Sequence, residues 1–289
     1  MVRERTVETP NEKMNLARVY LARIQEAKLT PNFLMSEEYL EKSDTVCHAT
    51  VFDQGFKCSD SDEWLIPPIP QNSMVRVGSV KTDESVWMYF PVLLQPAESL
   101  LSHRWIFCDF QIIYNPVHFL HMVGHPWQVF RKNVTKYPRR STGKITYTRL
   151  RENQEESQIV DLIVRWSKGK EIHDHLVMIQ FLLRGENRAG LFLDDKLVGM
   201  NVWDWNFKYI NFRYCVDDGS PFLQEYLRYR FYTDPEILKK GKLVNDGGSL
   251  GSEGLLQFKL KLNPIQVFKV YSLKPKEKNS ESGTGNTSE

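Results

Sequence analysis

Apolar residues recur at three- and four-residue spacing in the opening segment, where Leu16, Val19, Tyr20, Ile24 and Ala27 predict an amphipathic helix ending near Lys28. Ser36 stands ahead of EEYLEK and predicts a capped short helix. Two apolar runs, SMVRVGSV and SVWMYFPVLL, flank the polar KTDE and predict a hairpin. RWIFCDFQIIY, rich in aromatic and β-branched residues, predicts a further strand. Pro116 opens a helix through Tyr137, interrupted near Gly124 and Pro126 because proline removes a backbone donor.

KYPRRSTGK breaks this patterning with a proline, a glycine and polar residues, which places a domain boundary near Arg140 to Gly143. Beyond it, KITYTRL reads as a strand, EESQIVDLIVRWSK and IHDHLVMIQFLLRG as helices, and AGLFLDD, KLVGMNVWDWN and KYINFRYCV as three strands. A helical stretch from Pro221 to Lys240 is expected to break at Pro235, KLVND to form a short strand, SEGLLQFKLK a helix capped by Ser252, and IQVFKVYSL a last strand. The alternation is α/β and is similar to the element order of the GCN5-related N-acetyltransferase fold, from about Lys144 to Leu273. Residues 274–289 are polar and nearly free of apolar groups, so disorder is expected there.

Charge narrows the partners little. Lys and Arg total 38 against 36 acidic residues, so an anion site must be a local patch rather than a global field. The charged opening has no signal-peptide core and no stretch approaches the ~20 apolar residues needed to span a bilayer, so a soluble cytoplasmic protein is expected. Cys47, Cys58, Cys108 and Cys215 form no CxxC pair and read as free buried thiols. His118, His121 and His125 lie near one helical face, with His173 and His175 elsewhere, but a zinc site needs three or four convergent ligands and Pro126 breaks the helical register, so no metal site is expected.

The segment from Asn245 to Leu273 carries a pattern at Asn245, Leu250, Gly251, Gly254, Leu255, Phe258, Lys259 and Pro264 that resembles the end of the C-terminal domain of phosphatidylglycerol lysyltransferases and related small soluble proteins. KLVGMNVWDWN and the basic helix FRKNVTKYPRR lend looser support. The resemblance implies two tandem acyltransferase-like domains, 1–140 a degenerate copy and 141–273 the one carrying transfer, with aminoacyl-tRNA or acyl-CoA as donor and a small-molecule or peptide acceptor. One departure from ordinary acetyltransferases lies at VDDGSPFLQEYL. There Asp217 and Asp218 would repel a pyrophosphate and Pro221 has no amide proton, where a glycine-rich turn should bind acetyl-CoA.

Acyl transfer needs a held donor, hydrogen-bond donors near the developing oxyanion and a base or proton shuttle. NDGGSLGSEG offers a glycine-rich turn with Asn245, Gly251 and Ser252 as donor-binding candidates, Asp246 as the carboxylate and Lys259 as the cationic anchor. A helix-approach loop whose glycines serve geometry alone is the competing reading. Trp203 and Tyr214 are candidates for substrate or donor binding, and Trp203, Trp205 and Tyr209 resemble a substrate wall, although aromatic strands are commonly sheet core. Arg131, Lys132, Lys136, Arg139 and Arg140 form a basic run suited to RNA or another polyanion, or to a solvated helix face. Three functions stay open: an acyl or aminoacyl transferase, an acyl-CoA N-acyltransferase with an atypical donor site, and a non-catalytic binding or regulatory protein.

Overall fold

The computed structural model describes residues 9–26, 33–42, 49–52, 55–58, 64–66, 86–88, 103–151, 155–168 and 175–275. Helix α1 spans Pro10–Glu26 and α2 Glu37–Lys42, with Ser36 Oγ accepting from the Tyr39 amide at the start of α2, 3.1 Å away. Strands β1 (Ala49–Phe52), β2 (Gly55–Cys58) and β3 (Trp64–Ile66) form a small antiparallel sheet of their own, which the apolar patterning did not announce. Of the expected hairpin at residues 73–94, β4 (Val86–Met88) is described and the remainder lies outside the described residues, as does the tail from residue 276.

Strand β5 (His103–Tyr114) leads into α3 (Val117–His121), a 3-10 turn at His125–Trp127 and α4 (Gln128–Arg140), so the expected interruption falls at Gly124 and Pro126. The rest follows the expected order: β6 (Ile145–Arg149), α5 (Glu156–Ser167), α6 (His175–Arg184), β7 (Asn187–Leu193), β8 (Lys196–Trp205), β9 (Tyr209–Asp217), α7 (Leu223–Tyr232), α8 (Pro235–Lys239), β10 (Leu243–Asn245), α9 (Glu253–Leu260) and β11 (Gln266–Pro275). Asp234 caps α8 ahead of Pro235, which fits at a helix start because its missing N–H has no partner to lose there.

Eight strands form one mixed sheet in the order β4-β11-β5-β10-β9-β8-β7-β6, the α/β class expected. Strand β5, from before the Arg140 to Gly143 segment, lies between β11 and β10, from after it. One face carries Leu197, Met200, Val202 and Val216, covered by Ile159 and Leu162 of α5 and Met178, Phe181 and Leu182 of α6. The opposite face carries Ile112, Tyr114, Trp203, Ile210, Phe212 and Val244, covered by α3, α4, α7 and α8 through Phe119, Phe130, Phe231, Tyr232 and Ile237. Burying each large side chain of this kind contributes about 1.5–3 kcal/mol, so both covers are held mainly by apolar contact.

Candidate functional site

Two neighbours in the centre of the sheet run parallel. Strands β9 and β10 pair at Leu243–Tyr209, Val244–Ile210 and Asn245–Asn211. There β10 ends, and the Asp246 amide donates to the Ile112 carbonyl at 2.9 Å, so the chain turns away along β5 while β9 continues to Asp217. The carboxyl ends of adjacent parallel strands that diverge are where open α/β sheets place ligands.

On the α7 side of this divergence sits a buried ionic knot. Asp246 accepts from Arg228 Nη1 of α7 and from the Tyr232 hydroxyl, 3.0 Å away, and its other oxygen lies 3.1 Å from Lys259 Nζ of α9. Lys259 also donates to the carbonyls of Asp246 at 2.5 Å and Gly248 at 2.7 Å. The three contacts lie inside the chain, and Lys259 is 5% exposed. The Arg228 guanidinium fills the gap between β9 and α9, with the Phe212 ring 4.9 Å and the Phe258 ring 5.4 Å from its central carbon. Burial lowers the affinity of Lys259 for its proton, against the pull of Asp246. Burial likewise raises the Tyr114 and Tyr232 phenols well above their ordinary range and pushes the Cys215 thiol up to about 12, so these groups stay protonated at neutral pH.

The glycine-rich turn after β10 is occupied by the chain's own carboxylate. Asp109 of β5 accepts from the Ser249 amide at 2.9 Å, the Ser249 hydroxyl at 2.7 Å and the Leu250 amide at 2.8 Å. Gly248 makes that approach possible, because a Cβ there would lie 2.2 Å from an Asp109 oxygen. Gly251 and Ser252 are exposed, and Ser252 Oγ caps α9 by accepting from the Leu255 amide at 3.3 Å. At the other turn, between β9 and α7, the Gly219 amide donates to Asp217 at 2.8 Å and the Ser220 amide to Asp218 at 3.0 Å. In these two turns the amides of Ser249, Leu250, Gly219 and Ser220 are therefore bonded to Asp109, Asp217 and Asp218.

The basic run lies beside the second turn. Lys136 Nζ sits 4.5 Å and the Arg140 guanidinium 5.1 Å from the Phe222 ring, at the start of α7. Phe222 itself has φ 68°, a left-handed conformation that turns the chain into the helix. Arg131 is used otherwise, donating to the carbonyls of Met122 and Gly124. Lys132, Arg139 and Arg140 are exposed, and among the described residues no ion pair engages these three or Lys136.

Asp246 and Lys259 are thus brought together, with Gly251 and Ser252 just ahead of the same helix α9, whereas the Asn245 side chain turns to the other face of the sheet and donates to Gln111. Trp203 and Tyr214 are not brought together: Trp203 stacks under Arg149 at 4.3 Å on the α7 face, while Tyr214 packs near Phe181 on the other. Tyr214 pairs with Val202, and Trp203, the next residue along β8, points to the opposite face by strand alternation.

On the α5/α6 face a second polar band crosses the central strands. Asn245 Nδ2 donates to Gln111 Oε1 at 2.7 Å, and Asn211 Nδ2 donates to Asp204 Oδ1 at 2.8 Å. Arg213 donates to Asp204 Oδ2 through Nε at 2.9 Å and Nη2 at 2.8 Å. Residues 33–36 lie over the band: the Phe33 amide donates to Gln111 at 3.2 Å, Ser36 Oγ donates to Asp204 at 2.5 Å and accepts from Arg213 Nη2 at 2.9 Å, and the Phe33 ring lies 4.2 Å from the guanidinium. Sequence reading passed over Asp204, Arg213 and Ser36 as ligand groups. The available signal was a charged residue inside each of two otherwise apolar strands, which a sheet core does not tolerate without a partner.

No family model matches the chain, and no curated protein matches its sequence. Among solved structures, the L-PGS of Bacillus licheniformis aligns over 62% of this chain and 64% of its own, with 13% identity and a TM-score of 0.48. A GCN5-related N-acetyltransferase from Kribbella flavida aligns over 95% and 71%, with 10% identity and a TM-score of 0.33. A conserved protein of unknown function from Bacteroides thetaiotaomicron aligns over 96% of this chain and 100% of its own, with 16% identity and a TM-score of 0.66, and with that protein the chain shares its fold.

Proposed function

We propose that the chain is a transferase that moves an acyl or aminoacyl group from a phosphate-rich carrier to an amine or hydroxyl, with the carrier held along α4 and the group delivered where β9 and β10 diverge. The observation that carries this reading is the position of the basic side chains Lys132, Lys136, Arg139 and Arg140, without an ion-pair partner among the described residues, beside the turn from the free end of β9 into α7, through the contacts of Lys136 and Arg140 with Phe222. An extended polyanion such as an aminoacyl-tRNA suits a line of exposed cations better than acyl-CoA does. A single pyrophosphate needs convergent turn amides, and those of Gly219 and Ser220 are bonded to Asp217 and Asp218. Asp246 and Lys259 act in this reading as the knot that fixes the turn after β10, because their polar contacts are internal.

A non-catalytic binding protein is the second reading, favoured by the same internal saturation, which leaves no free base in the knot. The test is a pair of measurements on the full chain: salt-dependent binding of aminoacyl-tRNA by fluorescence anisotropy, and loss of the labelled aminoacyl group on adding amine or alcohol acceptors. Binding with turnover supports the transferase. Binding without turnover across the acceptors selects the second reading, and tRNA binding no stronger than that of a neutral polymer removes the carrier from both.

A further inference from the structure

The polar band under residues 33–36 contains two atoms without a hydrogen-bond partner, Arg213 Nη1 and Asn211 Oδ1, in residues that are 8% and 0% exposed. One is a cationic donor and the other a neutral acceptor, and both residues are fixed by the same carboxylate, Asp204. A buried group left in this state is costly unless something supplies the missing contact. The species that satisfies both must offer an anionic or strongly accepting oxygen to Arg213 and an N–H or O–H to Asn211.

Three further features narrow the class. The Asp204–Arg213 pair is itself neutral, and a ligand with net charge would leave that charge uncompensated in the interior. Ser36 Oγ donates to Asp204 and accepts from Arg213, which marks a position where a small polar group engages both ions together. The guanidinium is packed by the rings of Phe33 at 4.2 Å, Tyr39 at 4.7 Å and Phe181 at 5.7 Å, an apolar surround that suits a small ligand.

We propose that this band is a binding site for a small zwitterion, the α-ammonium and α-carboxylate of a free amino acid, with residues 33–36 as the strap that lifts to admit it. The carboxylate meets Arg213 Nη1, and the ammonium meets Asn211 Oδ1 and the Asp204 carboxylate, displacing the Ser36 hydroxyl. Gly247 contributes by lying flat beneath the strap, since a Cβ there would stand 3.2 Å from the Phe33 ring. This site is on the face opposite the Asp246 knot and does not depend on the proposed carrier.

The experiment uses the full chain and its Ser36→Ala variant, which removes the resident hydroxyl while leaving the Asp204–Arg213 pair in place. Each of the common free amino acids is screened by thermal shift at millimolar concentration, and the strongest is titrated by calorimetry beside its amide and its N-acetyl derivative. The expected result is a Tm rise with at least one free amino acid, at least tenfold weaker binding of both derivatives, and tighter binding to Ser36→Ala than to the wild type. If no amino acid raises the Tm of the wild type, or if amide and N-acetyl forms bind as well as the parent, the proposal is overturned. Should Ser36→Ala fail to fold, the wild-type screen and the two derivatives decide the matter alone.

Discussion

The two buried polar clusters back onto each other through adjacent residues, Asn245 facing α5 and α6 and Asp246 facing α7, yet they are built on different charge arithmetic. The strap-side band sets one carboxylate, Asp204, against one guanidinium, Arg213. The knot sets one carboxylate, Asp246, against two cations, Arg228 and Lys259, and adds backbone carbonyls for the lysine. A one-to-one pair has no reserve: removing either ion strands the other. A carboxylate with two cations keeps a partner when one is lost.

That difference predicts unequal costs. Arg213→Met strands Asp204 in the interior and is expected to lower stability by about 3–5 kcal/mol, the usual result of breaking a buried pair from one side. Lys259→Met leaves Arg228 on Asp246 and unsatisfies two carbonyls, for which a loss of about 1–3 kcal/mol is expected. Urea unfolding of the two variants measures both. Equal losses would show that the second cation of the knot gives no protection, and the comparison would break.

Much of this contrast was out of reach of the sequence. The order of elements from Lys144 onward was legible because helical and alternating periodicities are local, and Pro126, Pro235 and Ser252 punctuate them where chain geometry requires. The glycine-rich turn was legible as a turn. What fills it was not, because Asp109 is 140 residues away from Ser249. The same holds for Lys259: its spacing after the turn suggests a ligand contact, whereas only the folded chain brings the carbonyls of Asp246 and Gly248 around its ammonium. Trp203 and Tyr214 read alike as donor-binding candidates, and the alternation of side chains along the paired strands β8 and β9 sets them in separate cores.

Proton uptake sharpens the comparison on the strap side. Burial pushes the Glu38 carboxyl of α2 up to about 7, with the amide of Glu186 opposing and the nearby Asp204 adding to the rise. Its ordinary value is 4.5, so between about 4.5 and about 7 the folded chain holds a proton that the unfolded chain has released. Stability contributed by this group is therefore lost as pH climbs through that window. Thermal melting is expected to show a Tm decline from pH 5 to pH 7 (a window of about two units) that Glu38→Gln flattens; an unchanged slope would remove Glu38 from the account.

The smallest stability effect is expected on the exposed side of α4. Replacing Lys136 and Arg140 together with Ala should change folding stability by within about 0.5 kcal/mol each. Polyanion affinity should fall, and the dependence of log affinity on log salt should flatten by about one for each cation removed. A large drop in Tm without a change in salt slope would make these side chains part of the Phe222 packing instead of a carrier surface.

The place of β5 bears on the timing of synthesis. Its residues 103–114 sit between strands built from residues 243–245 and 266–275, so both edges of this strand wait for partners made much later. At about 5–20 residues per second, the interval on the ribosome is on the order of ten seconds. Throughout it, a strand rich in aromatic and β-branched residues has its native neighbours missing, which makes it the segment of the nascent chain most in need of shelter. The converse applies to a fragment beginning at residue 141: it would hold β10 and β11 with a vacancy one strand wide between them, a gap that a separately supplied 103–114 peptide has the register to fill.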